Sequence, residues 1–468
     1  MKLILLLAPA ILTLNPSAIV AAEKIETPPP PVSRAATNLP PKVLSFAADK
    51  EDQVKRLAVK LKAEVPQIAV DFFDAAKKGD WPQSFDLYRE LKDLLRNDSR
   101  MENQQALEVT LGAAALEVQL AFEQFVEGEP KYALACGEAI VKSIPRGSIY
   151  FGGTDPGRGL PTALCASHEK ADPFFTLTQN ALAGSHYLTY LGTMYGGRIS
   201  VPTKDDSDKA FKEYIDDAKR RLEHDRGFPS EPKQIKPGEN VVMRDNRVQV
   251  SGHVAVMAIN ALLAKSVFDR NPEHEFFIEE SSPLDWAYPH LSPHGLVMKI
   301  NRKPLPGLSA AEVEKDRKFW IEQQRPLIGC WLKPETSVKE VCAFADKVFV
   351  DQVMEGFQGD ERFVRSDYAA KMYSKLRSSI GGVYAWRAKQ TREPAERERM
   401  RREADFAFRQ AFALCPSSME AVFRYADLLT EQKRFDDALL IAETARKLRP
   451  EDGVLESLIQ DLERLKKP

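Results

Sequence analysis

Near the C-terminus Pro416 and Pro450 stand 34 residues apart, and the small residues ahead of them keep the same interval, Ala404 with Ala438 and Ala411 with Ala445. That interval has room for two helices and their turns. Prolines recurring behind helical stretches end them, and each helix pair buries its apolar face only by stacking on the next. Residues 405–450 are therefore expected to form stacked helix pairs, with Phe435 opening a second helix. Upstream, 368–389 supplies the partner helix of the first pair and the Arg-rich 391–402 lengthens the link. The helix expected at 453–465 caps the stack.

Length demands more than this. At 468 residues the chain exceeds one compact core, and roughly two or three domains are expected. The start reads as a secretory leader (1–22): Lys2, an apolar run from Leu3 to Leu14, and small residues Val20, Ala21 and Ala22 for cleavage near Ala22. Pro9 and Pro16 interrupt the run, which is short for a membrane span. No later segment reads as long and apolar enough to cross a bilayer, so an extracytoplasmic location, periplasmic or secreted, is expected. The proline-rich 23–42 describes an extended linker. Acids and bases nearly cancel, at 68 against 66, and mix along the chain, which argues against nucleic acid as a partner. Cys136, Cys165, Cys330, Cys342 and Cys415 make an odd set; most are expected as buried free thiols, with a Cys330–Cys342 bond as the alternative.

Residues 43–130 read as helical throughout, with a hairpin turning at Gly79, Asp80 and Trp81. In the next region, 131–350, the period changes. Strands are expected at 148–151, 172–179, 275–278 and 295–300, alternating with helices at 132–144, 187–195, 204–225 and 254–268, and a Pro-rich loop at 227–238. Strands alternating with helices argue for a helix-covered, mainly parallel sheet. Residues 351–468 form the repeat-bearing helical end.

Candidate chemistry gathers at strand ends. The run SIYFGGTDPGR at 148–158 breaks a strand at two glycines and turns through Asp155 and Arg158. Such a turn presents backbone N–H groups to an anion with Arg158 as counter-charge; alternatively, Asp155 caps a helix beginning near Pro156. Glu279 and Glu280 follow a later strand and share that edge if the strands are parallel. As paired carboxylates they suit acid–base or ligand contacts; as a solvated strand end or helix cap they carry no chemistry. Asp285 and Trp286 are expected to anchor a following helix. Pro293 separates His290 from His294 and denies them a shared helical face, and Cys165 with His168 and Glu169 is explained as well by packing as by nucleophilic chemistry. No catalytic residue, metal site or cofactor is assigned. The ligand-binding candidates are Asp155, Arg158, Glu279 and Glu280.

Residues 132–155 and 275–301, with the runs YALACGEAI, SIYFGGTD and EFFIEESSPLDW, resemble the soluble extracytoplasmic domain of bacterial membrane proteins related to protein O-mannosyltransferases. That family ends the first strand in a Gly-Asp-Asn-Asp type of turn where this chain has Gly153 to Gly157, so the resemblance implies fold and compartment but no catalytic residue. The 34-residue interval resembles tetratricopeptide repeats, which implies a protein or peptide partner. The expected fold is α/β: a Rossmann-like sheet flanked by α-helical hairpins of the tetratricopeptide type. The expected function is protein binding or scaffolding. The alternative is a glycan-related enzyme, or a glycan- or anion-binding module at the sheet edge, associated with a membrane glycosyltransferase system.

Overall fold

The computed structural model describes residues 39–95, 102–165, 174–244, 247–280 and 282–466. The expected leader and most of the proline-rich linker lie outside the described residues. The linker ends earlier than expected, because Pro41 already opens α1 (Pro41–Leu61), a position where its missing N–H has no helical partner to lose. Then come α2 (Gln67–Lys77), α3 (Trp81–Leu95) and α4 (Glu102–Val126). In the α2–α3 hairpin Gly79 takes the left-handed turn and the Asp80 carboxylate accepts from the Gln83 N–H, starting α3.

The middle of the chain runs α5 (Pro130–Ser143), β1 (Ser148–Gly152), α6 (Asp155–Leu164), β2 (Phe174–Thr178), α7 (Ser185–Tyr195) and α8 (Lys204–Gly227). Next are β3 (Asn240–Arg244), β4 (Arg247–Ser251), α9 (His253–Arg270), β5 (Phe276–Ile278), β6 (Leu291–His294) and β7 (Val297–Ile300). The C-terminal part comprises α10 (Ala310–Ile328), α11 (Val338–Ala345), α12 (Glu361–Arg365), α13 (Asp367–Gln390), α14 (Pro394–Leu414), α15 (Met419–Glu431), α16 (Phe435–Leu448) and α17 (Gly453–Lys466).

The fold is mixed α/β with helical hairpins, and its main sheet is mixed rather than mainly parallel. Its strand order is β2-β1-β5-β7-β6, with β1 parallel to β2 and β5, but β7 antiparallel to β5 and β6. The reason is local. Only a two-residue turn joins β6 to β7, too short for the crossover that parallel neighbours need. Pro293 hid β6 from the sequence reading, yet β6 is an edge strand, where proline is tolerated. β3 and β4 form a separate antiparallel hairpin, also unanticipated. Phe151, Phe277 and Val297 lie in strands and are buried.

One helix corrects the expectation that nothing after the leader has membrane length. Asn103–Val126 is long and apolar enough, and 61% of its most apolar window is buried. Its neighbours explain that composition: α4 packs against α1, α3, α6 and α7, so it is apolar nearly all round. A trio of buried Lys50, buried Tyr190 and partly buried Glu117 pins this packing, with Lys50 donating to the Tyr190 hydroxyl (2.7 Å), which donates to Glu117 (2.6 Å), while Lys50 also pairs with Glu117.

At the C-terminal end α13–α14 and α15–α16 stack as antiparallel pairs, with α17 closing on α16. Ala404, Ala411, Ala438 and Ala445 are all fully buried, and Phe435, half-buried, opens α16. The Arg-rich 391–402 is mostly helix rather than link, since α14 begins at Pro394. Ala438→Trp is expected to destabilise by roughly 1–3 kcal/mol through overpacking; an unchanged urea midpoint would contradict this packing.

The stack is not free-standing. α10 and α11 pack on α14, and α11 also packs on α16, while α13 packs on α5, β6 and β7. Arg387 of α13 donates to the Leu291 carbonyl (3.0 Å), and the Trp386 and Tyr288 rings lie 5.8 Å apart. Asp316 of α10 holds Arg377 (2.7 Å) and Tyr384 (2.8 Å) of α13.

Candidate functional site

β1 lies between β2 and β5 and runs parallel to both. The chain thus leaves β1 toward one neighbour and returns on the other side, which opens a crevice beyond the carboxyl ends of β1 and β5. Gly153 and Thr154 follow β1 at that crevice; Glu279 and Glu280 follow β5.

The expected anion cradle exists, but its anion is internal. Glu279 Oε2 accepts from the N–H groups of Gly153 (3.0 Å) and Thr154 (2.8 Å), and Oε1 accepts from the Thr154 hydroxyl (3.1 Å). Thr154, not Asp155, is the N-cap of α6, its Oγ1 accepting from the Gly157 N–H (3.1 Å). Gly157 makes this possible: a Cβ there would come within 2.6 Å of the Glu279 carboxyl carbon. Asp155 occupies the first helical turn, where its charge suits the helix dipole, and pairs with Arg158 at 3.1 Å.

Neither glutamate is a solvated strand end, for Glu279 is 2% and Glu280 1% exposed. Glu280 accepts from the Tyr288 hydroxyl (2.8 Å) and from Arg424 of α15 (2.6 Å). Arg424 also meets Glu420 (3.0 Å), which holds Lys375 of α13 (2.5 Å). Arg424 passes beside α13 at Gly382, where a Cβ would lie 2.6 Å from its Nη1. A chain of charges therefore joins the sheet edge to the helical hairpins.

Between these walls lies a cleft of about 240 Å³. Asp155 and Glu279 line it from the sheet edge, Lys371 and Lys375 from α13, and Cys136 and Ile140 from α5. The structure thus brings Asp155 and Glu279 to one cleft. Glu280 sits beside it in the Arg424 network, and Arg158 does not line it. The lysines and Arg424 went unforeseen because helix packing, not local sequence, delivers them. The one legible trace was Gly381 with Gly382 inside a helical pattern, a mark of close approach.

The adjacent glutamates titrate in opposite senses. Burial pushes the Glu279 carboxyl above its ordinary value of 4.5, only partly offset by Lys375 and the Thr154 and Gly153 donors. Burial also opposes ionisation of Glu280, but the Arg424 and Lys375 charges and the Arg424 and Tyr288 hydrogen bonds outweigh it and hold that carboxyl below 4.5. Glu280 therefore adds stability that is present above pH 4.5 and lost as pH falls through its folded value. Glu279 adds stability that is full below 4.5 and lost as pH rises through its folded value. Thermal melts across pH should show Glu280→Gln removing part of the acid-side loss, and Glu279→Gln removing part of the decline above pH 4.5. Identical profiles for the two variants would contradict this assignment.

Other candidates resolve structurally. His290 bonds the Asn301 carbonyl (2.6 Å) and His294 the Ser143 carbonyl (2.8 Å). Asp285 and Trp286 lie in a turn rather than a helix, the indole donating to the Ala261 carbonyl (2.9 Å). His168 and Glu169 lie outside the described residues. Among the described residues no group of three His, Cys, Asp or Glu side chains is placed to hold a metal. The five cysteines are free thiols, four buried and Cys330 exposed, so the alternative Cys330–Cys342 bond is not formed.

No family model matches the chain, and no curated protein or solved structure matches it either.

Proposed function

We propose that this protein is an extracytoplasmic ligand-binding module whose site is the cleft between the sheet edge and α13, and that it takes a small polar molecule, a glycan unit or another compact metabolite. One observation carries this reading: Asp155, Glu279, Lys371 and Lys375 converge on a single cleft at a crevice where open α/β sheets commonly bind ligands. The external-anion version is weakened, since Glu279 occupies the N–H groups that an anion would use.

The scaffold reading, a protein or peptide held on hairpins that resemble tetratricopeptide units, meets a specific obstacle. The chain's own sheet and α5 already cover part of α13, α14 covers most of the rest, and Glu280 holds Arg424 of α15. A partner is therefore confined to the helical surface left open. Crystals soaked with saccharides, amino acids and small carboxylates test the choice. Density between Glu279 and Lys371 is expected; a cleft left empty by every soak would refute the proposal.

A further inference from the structure

We infer that the cleft takes a zwitterion with a compact apolar body, an α-amino acid or the equivalent end of a short peptide. This rests on reading the cleft as the ligand site. Its two walls carry opposite charge. On the sheet side are Asp155 and Glu279, whose Oε1 accepts one hydrogen bond, from Thr154, and so retains acceptor capacity. On the helix side Lys371 and Lys375 stand four residues apart on one face of α13, Lys371 paired with Asp367 and Lys375 with Glu420 (2.5 Å), and each ammonium keeps further N–H donors for a carboxylate.

The surface between them is apolar and buried, with Cys136 and Ile140 each 1% exposed and Met372 6%. An ammonium directed at the carboxylates and a carboxylate directed at the lysines would match both walls, with the side chain on the apolar floor. Other classes match only in part. A neutral sugar brings no charge to either wall, a polyanion meets Asp155 and Glu279, and a diamine meets the lysines. At about 240 Å³ the cleft is also smaller than the roughly 300–1,000 Å³ pockets of drug-sized ligands.

The test is titration calorimetry on the full chain with L-leucine, N-acetyl-L-leucine, L-leucinamide and N-acetylglucosamine. Leucine is expected to bind saturably, and the two analogues lacking one charge about tenfold or more weakly. Asp155→Asn, at a partly exposed position, and Lys371→Gln, at an exposed one, should each weaken leucine by about tenfold while shifting the thermal melt only slightly, since each gives up one surface ion pair. Equal binding of leucine and either analogue, or leucine binding indifferent to both variants, would overturn the inference. Sugar binding lost in Asp155→Asn with no leucine binding would overturn the zwitterion and keep the cleft as the site. If no probe binds at millimolar concentration the zwitterion is overturned, and the crystal soaks decide the cleft separately.

Discussion

Replacing Arg424 with methionine is expected to lower stability by about 3–5 kcal/mol at neutral pH, because it leaves Glu280 charged and buried without its partner. The Glu280 side chain is 1% exposed, and its carboxylate rests on two groups, Arg424 and the Tyr288 hydroxyl. Much of the loss should return when Glu280→Met is added, since a buried pair replaced by apolar groups is far less harmful than one left half broken. Arg424→Lys is expected to recover only part of it, a point charge lacking the planar fork of arginine. Urea unfolding of the three variants supplies the numbers. A loss below about 1 kcal/mol for Arg424→Met would show that the pair is solvated and that the docking of hairpins on the sheet lies elsewhere.

The second large effect reverses sign with its background. Gly157→Ala places a methyl against the Glu279 carboxyl group, so roughly 1–3 kcal/mol of overpacking is expected, and displacing the carboxylate would also strip the Gly153 and Thr154 N–H groups of their acceptor. In a Glu279→Ala background the obstruction is gone. Gly157 lies inside α6 without a left-handed backbone, so alanine should there be neutral or stabilising by about 0.4–1 kcal/mol. A double-mutant cycle measures this directly. Additive costs would mean that Gly157 is needed for some other reason.

Legibility followed the range of the forces involved. Phe151, Phe277 and Val297 were readable as strand residues because short β-rich runs bounded by turn residues carry their own signal. Pro293 suppressed that signal in β6, where only the edge position made the strand admissible. Asp155 and Glu279 were legible as neighbours because parallel strands deliver their following residues to one edge, and the Thr154–Glu279 bond is that inference made physical. The identity of the cradle's anion was not legible, since backbone N–H groups suit an external ligand and a buried side chain alike. Lys371, Lys375 and Arg424 were hidden more deeply. Each sits in a helix whose sequence speaks only of stacking, and what they face is decided by how the hairpins dock on the sheet.

That docking has a consequence for assembly. One wall of the cleft is encoded in the middle of the chain and the other, on α13, only after α10, α11 and α12 have been made. The cleft is therefore a late product of synthesis. A molecule touching both walls would act as a clamp, stabilising the joined arrangement by mass action, so occupancy and the cooperativity of unfolding should rise together.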